Sequence, residues 1–261
     1  MRKLSAPVVL VAMAMASASA IAGEPNEAQI RAAIIEAHGG PIDLAGKDLA
    51  GFDLSGLDLR RANLANANLT GAKLVGTKLA GADLAGARLD LAWIMRADFT
   101  GANLTRASLF GPVVSMSLQM SPADAARFTG ANLSGARIIA RFIGFDMSGA
   151  DFAGARLGVD IRNQPMGQMR NDFTSANLAG SNFSGADLNR AVLAFANLSH
   201  ANLSGANLFR VDLSRADLTG ANLAGADLTE ADLDGTILKN VAGLDRVKGL
   251  DKAIHRDRAL F

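Results

Sequence analysis

Residues 196–235 read ANLSH-ANLSG-ANLFR-VDLSR-ADLTG-ANLAG-ADLTE-ADLDG. Each quintet has a leucine at its centre, usually Ala two residues before it, and Asn or Asp just before it. The two residues that follow are mostly small or polar. An α-helix cannot use this spacing. Five residues advance ~500°, so successive leucines land ~140° apart and no apolar stripe forms. A straight strand fails as well, because an odd spacing sends alternate leucines to opposite faces. What remains is a short extended piece and a turn, repeated every five residues. Within the piece, Ala and Leu point the same way and the Asn or Asp between them points outward. The Gly that often closes the quintet sits where the chain must bend sharply. Repeated turns of one hand then wind a coil that buries its leucines along an axis.

The same phase extends far beyond this stretch. Thirty-five centres fall at 44–109, 128–157 and 173–238, and 26 of them are Leu and six are Phe. The pattern resembles the pentapeptide-repeat family over about two-thirds of the chain. The resemblance implies an all-β fold, a right-handed quadrilateral β-solenoid with four quintets per coil. Thirty-five quintets then make about nine rungs, ~40 Å long at the usual strand spacing. Stability in such a stack is close to a sum over rungs and their interfaces. Outward Asn side chains are placed to form ladders.

The 261 residues are 49% apolar and 20% charged, contain no cysteine, and carry a net charge of +1. Disulfides and thiolate metal sites are therefore excluded, and the charge balance does not favour nucleic acid or a membrane surface. Residues 1–22 carry Arg2 and Lys3, an apolar run at Val8–Met15, and small residues up to Ala22. They read as a signal peptide cut after Ala22, or after Ala20, with an uncleaved anchor as the competing reading. The mature chain, at net −1 without Arg2 and Lys3, is then expected in the periplasm or outside the cell, without a membrane span.

Four segments follow from the pattern: the signal at 1–22, an N-terminal helical cap at 23–41, the solenoid at 42–239, and a C-terminal cap at 240–261. Residues 26–37 predict a short helix with Asn26 as N-cap and Gly39 as stop, its Ile30, Ala33 and Ile34 covering the first rung. In the last segment a helix is expected from about 251, with Asp251 as its N-cap. Ile42, Phe52 and Leu57 occupy the small-residue position of the first coil, which should widen it. The solenoid is interrupted near 110–127 and near 158–172. Ser121-Pro122 is a candidate helix start, and one residue is missing between Ile138 and Phe142.

Irregular positions supply the only surface that stands out. Leu91 fills a turn slot, and Trp93 and Met95 flank the centre Ile94, so both are expected to point outward. Residues 20 apart share a face, so Val75 lies beneath Met95 and Val113 continues the Trp93 column. Val75, Leu91, Trp93, Met95 and Val113 thus form an apolar patch on a polar rod, a feature that usually marks a contact.

No catalytic constellation accompanies it. His38, His200 and His255 fall in separate regions, and the many Asp residues are regular, outward and without a pocket. Met95, Met116, Met120, Met147, Met166 and Met169 offer thioethers of the kind that bind Cu(I). Met147 is a core centre, however, and the loop methionines suit gap filling. No cofactor or metal is expected. The Thr residues do not stack at 20-residue spacing, which removes an ice-binding row. The expected function is a non-enzymatic exported scaffold, structural or protein-binding, its partner another protein or a second copy in a homodimer. The resemblance also implies an alternative. Some pentapeptide-repeat proteins imitate duplex DNA and bind DNA gyrase, a type II topoisomerase. The signal-like start and the weakly acidic repeats depart from that pattern.

Overall fold

The computed structural model describes residues 26–115, 124–159 and 170–261. The signal segment, Met116, Met120, Ser121-Pro122, Met166 and Met169 lie outside them. Within this range the quintet becomes a repeating corner. The centre's carbonyl accepts from the N–H three residues on, as in Ala62 N to Leu59 O at 3.0 Å. The third residue of each such turn has positive φ, from about +54° at Arg210 to +74° at Gly225. Type II turns require that backbone, and glycine adopts it without a Cβ penalty.

Successive coils are joined by parallel bridges at the outward Asn or Asp. One column runs Asp43, Asn63, Asp83, Asn103, Asn132, Asp151, Asn182, Asn202, Asn222 and Ala242. Its ten members make nine steps, ~43 Å at ~4.8 Å each. Four such columns enclose a core in which the central Leu, Phe and Ile side chains are fully buried. The outward amides form directional ladders. Asn222 Nδ2 donates to Asn202 Oδ1, Asn202 to Asn182, and Asn182 to Asp151, at 2.9–3.3 Å. Each outward Oδ1 also accepts the N–H two residues on, as from Ser204 to Asn202, so the side chain closes its own turn.

The register locates every irregularity. Trp93 bridges Val113, 20 residues on, but Asp98 bridges Arg127, 29 residues on. Nine residues are therefore inserted in between. Asn132 bridges Asp151 at a spacing of 19, which is the expected one-residue deletion, and Arg141 bridges Asp172 at 31. At the deletion the turn is lost, and a short strand pair replaces it: β1 (Ser108–Phe110) runs parallel to β2 (Arg137–Ile139). The distorted rungs are filled by rings. Phe99 stacks on Phe128 with centroids 4.7 Å apart and Phe152 on Phe183 at 4.6 Å, close to the rung spacing.

Helix α1 (Glu27–Glu36) has Asn26 as N-cap, in a capping box with Gln29. Ile30 and Ile34 are buried in the core, and Arg31 bonds to the Asp53 carbonyl. In the first coil Ile42 and Leu57 are buried and Phe52 is partly buried. The other end differs from expectation. No α-helix starts at 251. Three 3-10 turns, Leu244–Arg246, Leu250–Lys252 and Arg256–Arg258, alternate with bridges at Ala242, Lys248, Ile254 and Leu260. The chain simply continues around the axis with six residues per side. Gly243, Gly249 and His255 precede these turns with positive φ. The extra residue is taken up by the 3-10 turn, so the segment cannot rise into a helix.

Candidate functional site: an apolar corner flanked by arginines

The deletion and the strand pair meet at one corner of the solenoid, and the nine-residue insertion leaves the coil at the next corner. Leu91, Phe110 and Ile139 occupy this corner on successive rungs. Leu91 N–H bonds to Phe110 O at 2.9 Å, and Gly111 N–H bonds to Ile139 O at 2.8 Å. Leu91 has φ +59°, which throws its side chain outward. It is 54% exposed and Phe110 is 42% exposed. Trp93 bridges Val113 on the adjoining face, and both are partly buried, as is Val75. Gly76 N–H bonds to Met95 O, which stacks the Val75 turn on Met95 as the 20-residue rule requires.

Met95 departs from the expectation of an exposed patch residue. It is 4% exposed, yet it is not part of the axial core. One rung on, its stacking position is Ser115, where the inserted residues leave the coil. Arg96 pairs instead with Asp124, through N–H to O at 2.9 Å. Met95 is thus buried beside the point where the coil is interrupted. Sequence reasoning also missed Phe110 and Ile139. Both directly follow a core centre, where the repeat mostly places Ala, Ser or Thr, so their size in a turn slot was a signal of the kind that singled out Leu91. Phe195 is a further exposed ring, at 53%, but Arg215 lies over it at 5.5 Å.

Two open grooves flank the ridge made by Phe110 and Ile139. The larger, about 650 Å³, crosses the face bearing Arg137 and Arg156. The second, about 460 Å³, is lined by Pro112, Val114, Ala140, Arg141, Arg170 and Val192. Among the described residues, no three His, Asp or Glu side chains are grouped to hold a metal ion. His38, His200 and His255 lie on separate rungs. No helix among the described residues is long and apolar enough to cross a membrane.

Beneath the corner the fold is fastened by Asn171, a buried residue at 1% exposure. Its side chain accepts from Ala140 N–H and donates to Ile138 O and Leu157 O. It replaces the backbone bonds of the missing turn.

The repeat itself decides the kinship. The pentapeptide-repeat profile matches in eight copies, across residues 42–79, 73–111, 172–208 and 206–241. The chain belongs to the pentapeptide-repeat family. Its solenoid is accordingly right-handed. Among solved members, HetL, a pentapeptide-repeat protein involved in heterocyst differentiation regulation from the cyanobacterium Nostoc sp. strain PCC 7120, is 31% identical over 84% of each chain, with a TM-score of 0.35. A structure of QnrB1, a plasmid-mediated fluoroquinolone resistance protein, is 20% identical and covers 71% of this pentapeptide-repeat chain and 73% of its own, with a TM-score of 0.43. A pentapeptide-repeat protein of the Arabidopsis thaliana thylakoid lumen is 28% identical over 42% of this chain and 66% of its own, with a TM-score of 0.21. No curated protein matches.

Proposed function

We propose that the protein is an exported, non-enzymatic scaffold that holds a protein partner against the corner formed by Leu91, Phe110 and Ile139. One observation carries the reading. Large apolar side chains are exposed on adjacent rungs of a rod whose other outward positions are mostly Asn, Asp, Ser, Thr and Gly. Leu91 gains nothing for the fold there. A non-glycine residue in left-handed backbone costs about 1 kcal/mol, and its side chain faces solvent. Contiguous apolar surface of this kind marks contacts. The signal-like start supports export, and sequencing the N-terminus of the mature protein tests it. The gyrase-binding alternative has less support, because Arg137 and Arg156 interrupt the carboxylates on one face.

The test replaces Leu91 and Phe110 with residues the repeat already uses at those positions, Leu91→Gly and Phe110→Ser. Wild type and the double variant are used as baits on a periplasmic extract, with thermal melts confirming both are folded. A partner retained by wild type and lost by the variant supports the corner. Identical partner sets would remove it.

A further inference from the structure

Arg137 and Arg156 are stacked on adjacent rungs. Their backbones form a parallel bridge, and Arg156 N–H bonds to Ala136 O at 2.8 Å. Their Cα atoms are therefore ~5 Å apart. Like charges placed opposite one another in a ladder are destabilising. The repeat offers a harmless substitute at this position, since the same column carries Asn68 and Asn207. Both guanidiniums are exposed, and neither has an ion-pair partner among the described residues.

Carboxylates line the same groove but are turned to other work. Asp90 accepts from Ser108 Oγ at 2.5 Å and from Phe110 N–H at 2.9 Å. Asp187 accepts from Asn189 N–H and Asn207 Nδ2. Its carboxylate also lies so close to Gly158 that a Cβ there would be 2.6 Å from Asp187 Oδ2. Asp187 follows Arg156 in the column, yet no ion pair forms between them. Among the described residues, the groove thus has two cations without an ion-pair partner on its wall and the apolar ridge of Phe110 and Ile139 along one edge.

We infer that this groove receives an extended acidic peptide segment of a partner protein. A carboxylate side chain spans the stacked Arg137 and Arg156, and an apolar side chain near it rests on Phe110 and Ile139. Guanidinium and carboxylate form charge-assisted, often bidentate hydrogen bonds, and an anion between the two arginines removes their mutual repulsion. The charge supplies specificity and the ridge supplies desolvated area. This inference rests on the corner being a docking site, and it adds the chemistry of what docks.

A random dodecapeptide display library, panned on the full-length protein, tests it. The best selected peptide is then made with a fluorescein label and measured by fluorescence anisotropy. The expected pool is rich in Asp or Glu close to Leu or Phe. Binding should weaken about tenfold or more in the Arg137→Asn, Arg156→Asn double variant and about tenfold in Phe110→Ser, and should fall as salt is raised. Asparagine is the repeat's own residue at both arginine positions, so the double variant is expected to fold, and Lys78→Asn on another face serves as control. A pool without acidic enrichment, equal binding by the double variant, or no selected peptide would overturn the inference. Competition by poly-glutamate as strong as by the selected peptide would overturn its apolar half. If the Leu91→Gly, Phe110→Ser variant loses its partner but the arginine variant keeps it, the docking corner stands and only this inference falls.

Discussion

The side-chain amide of Asn171 donates to the carbonyl of Ile138 at 2.7 Å, across 33 positions of sequence. The same amide reaches Leu157 O, and its oxygen takes Ala140 N–H. One buried residue thus satisfies three backbone groups at the place where the coil drops a turn. Unpaired buried backbone groups each cost about 1–3 kcal/mol. Asn171→Ala should therefore destabilise by about 3 kcal/mol or more, read as a lower thermal midpoint. Asn171→Asp should be worse at neutral pH, because a carboxylate cannot donate to two carbonyls. A midpoint unchanged by Asn171→Ala would show that this stitch is dispensable.

Leu203 is a regular centre, fully buried between neighbouring rungs. Leu203→Ala removes its transfer energy and leaves a cavity that rigid rungs cannot close. The expected loss is ~2–5 kcal/mol, measured by denaturant midpoint. A loss below ~1 kcal/mol would mean that the stack collapses around the gap.

The ladder makes a sharper prediction at Asn202. It donates to Asn182 Oδ1 at 3.0 Å while accepting from Asn222. Asn202→Asp keeps the shape but removes the donor and sets a carboxylate against a carbonyl oxygen. About 1–2 kcal/mol should be lost at pH 7. Protonation restores a donor, so the deficit should shrink below about pH 4. Equal deficits at both pH values would exclude the ladder as the cause.

Acid should weaken the wild-type protein too. Hydrogen bonds from the Ser55 side chain and backbone hold the Asp53 carboxyl below its ordinary value of 3.8, and those from Thr229 do the same for Asp227. At Asp146, burial pushes upward, but bonds from Ser148, Thr129 and Asn177 outweigh it and the carboxyl is again lowered. Lowered folded values mean that these groups stabilise the fold above the unfolded value of about 4 and lose that contribution as pH falls through the folded values. The melting midpoint should be flat from about pH 5 to 8 and drop below about pH 4. A midpoint that instead rises on acidification would contradict the turn bonds.

Length changes test the architecture. Removing residues 199–218 deletes one rung and returns every column to register, so a folded, shorter rod is expected. Removing 199–203 rotates everything downstream by one side. Circular dichroism and melting should show the first variant native-like and the second strongly destabilised. Equal tolerance would contradict four sides per coil.

Most of the fold was legible because the quintet constrains every position at once. The phase of Leu203 and its neighbours dictated which side chains face the axis, and the 19-residue step at Asn132 followed from counting. What stayed hidden depended on where chain far away in sequence returns. Met95 has an outward position in the repeat but is buried beside the nine-residue insertion. Asn171 read as the end of a loop, although its value comes from Ile138 and Leu157. The last segment misled for a different reason. Asp251 has the chemistry of an N-cap, and the six-residue spacing of GLD, GLD and HRD is a subtler regularity than the quintet. At the candidate site, Leu91 announced itself by size in a turn slot. Arg137 and Arg156 did not, because single charges in outward positions look ordinary until the rungs are stacked.

The closing coil also sets a limit on assembly. Its bridges fall 20, 21, 22 and 23 residues after their partners, at Ala242, Lys248, Ile254 and Leu260. The perimeter therefore grows by one residue at each side. A standard rung laid on this flared rim would meet its partners progressively out of step, so its backbone donors and acceptors could not all pair. The flared rim therefore discourages the end-to-end fibre growth that a uniform β-stack would otherwise invite.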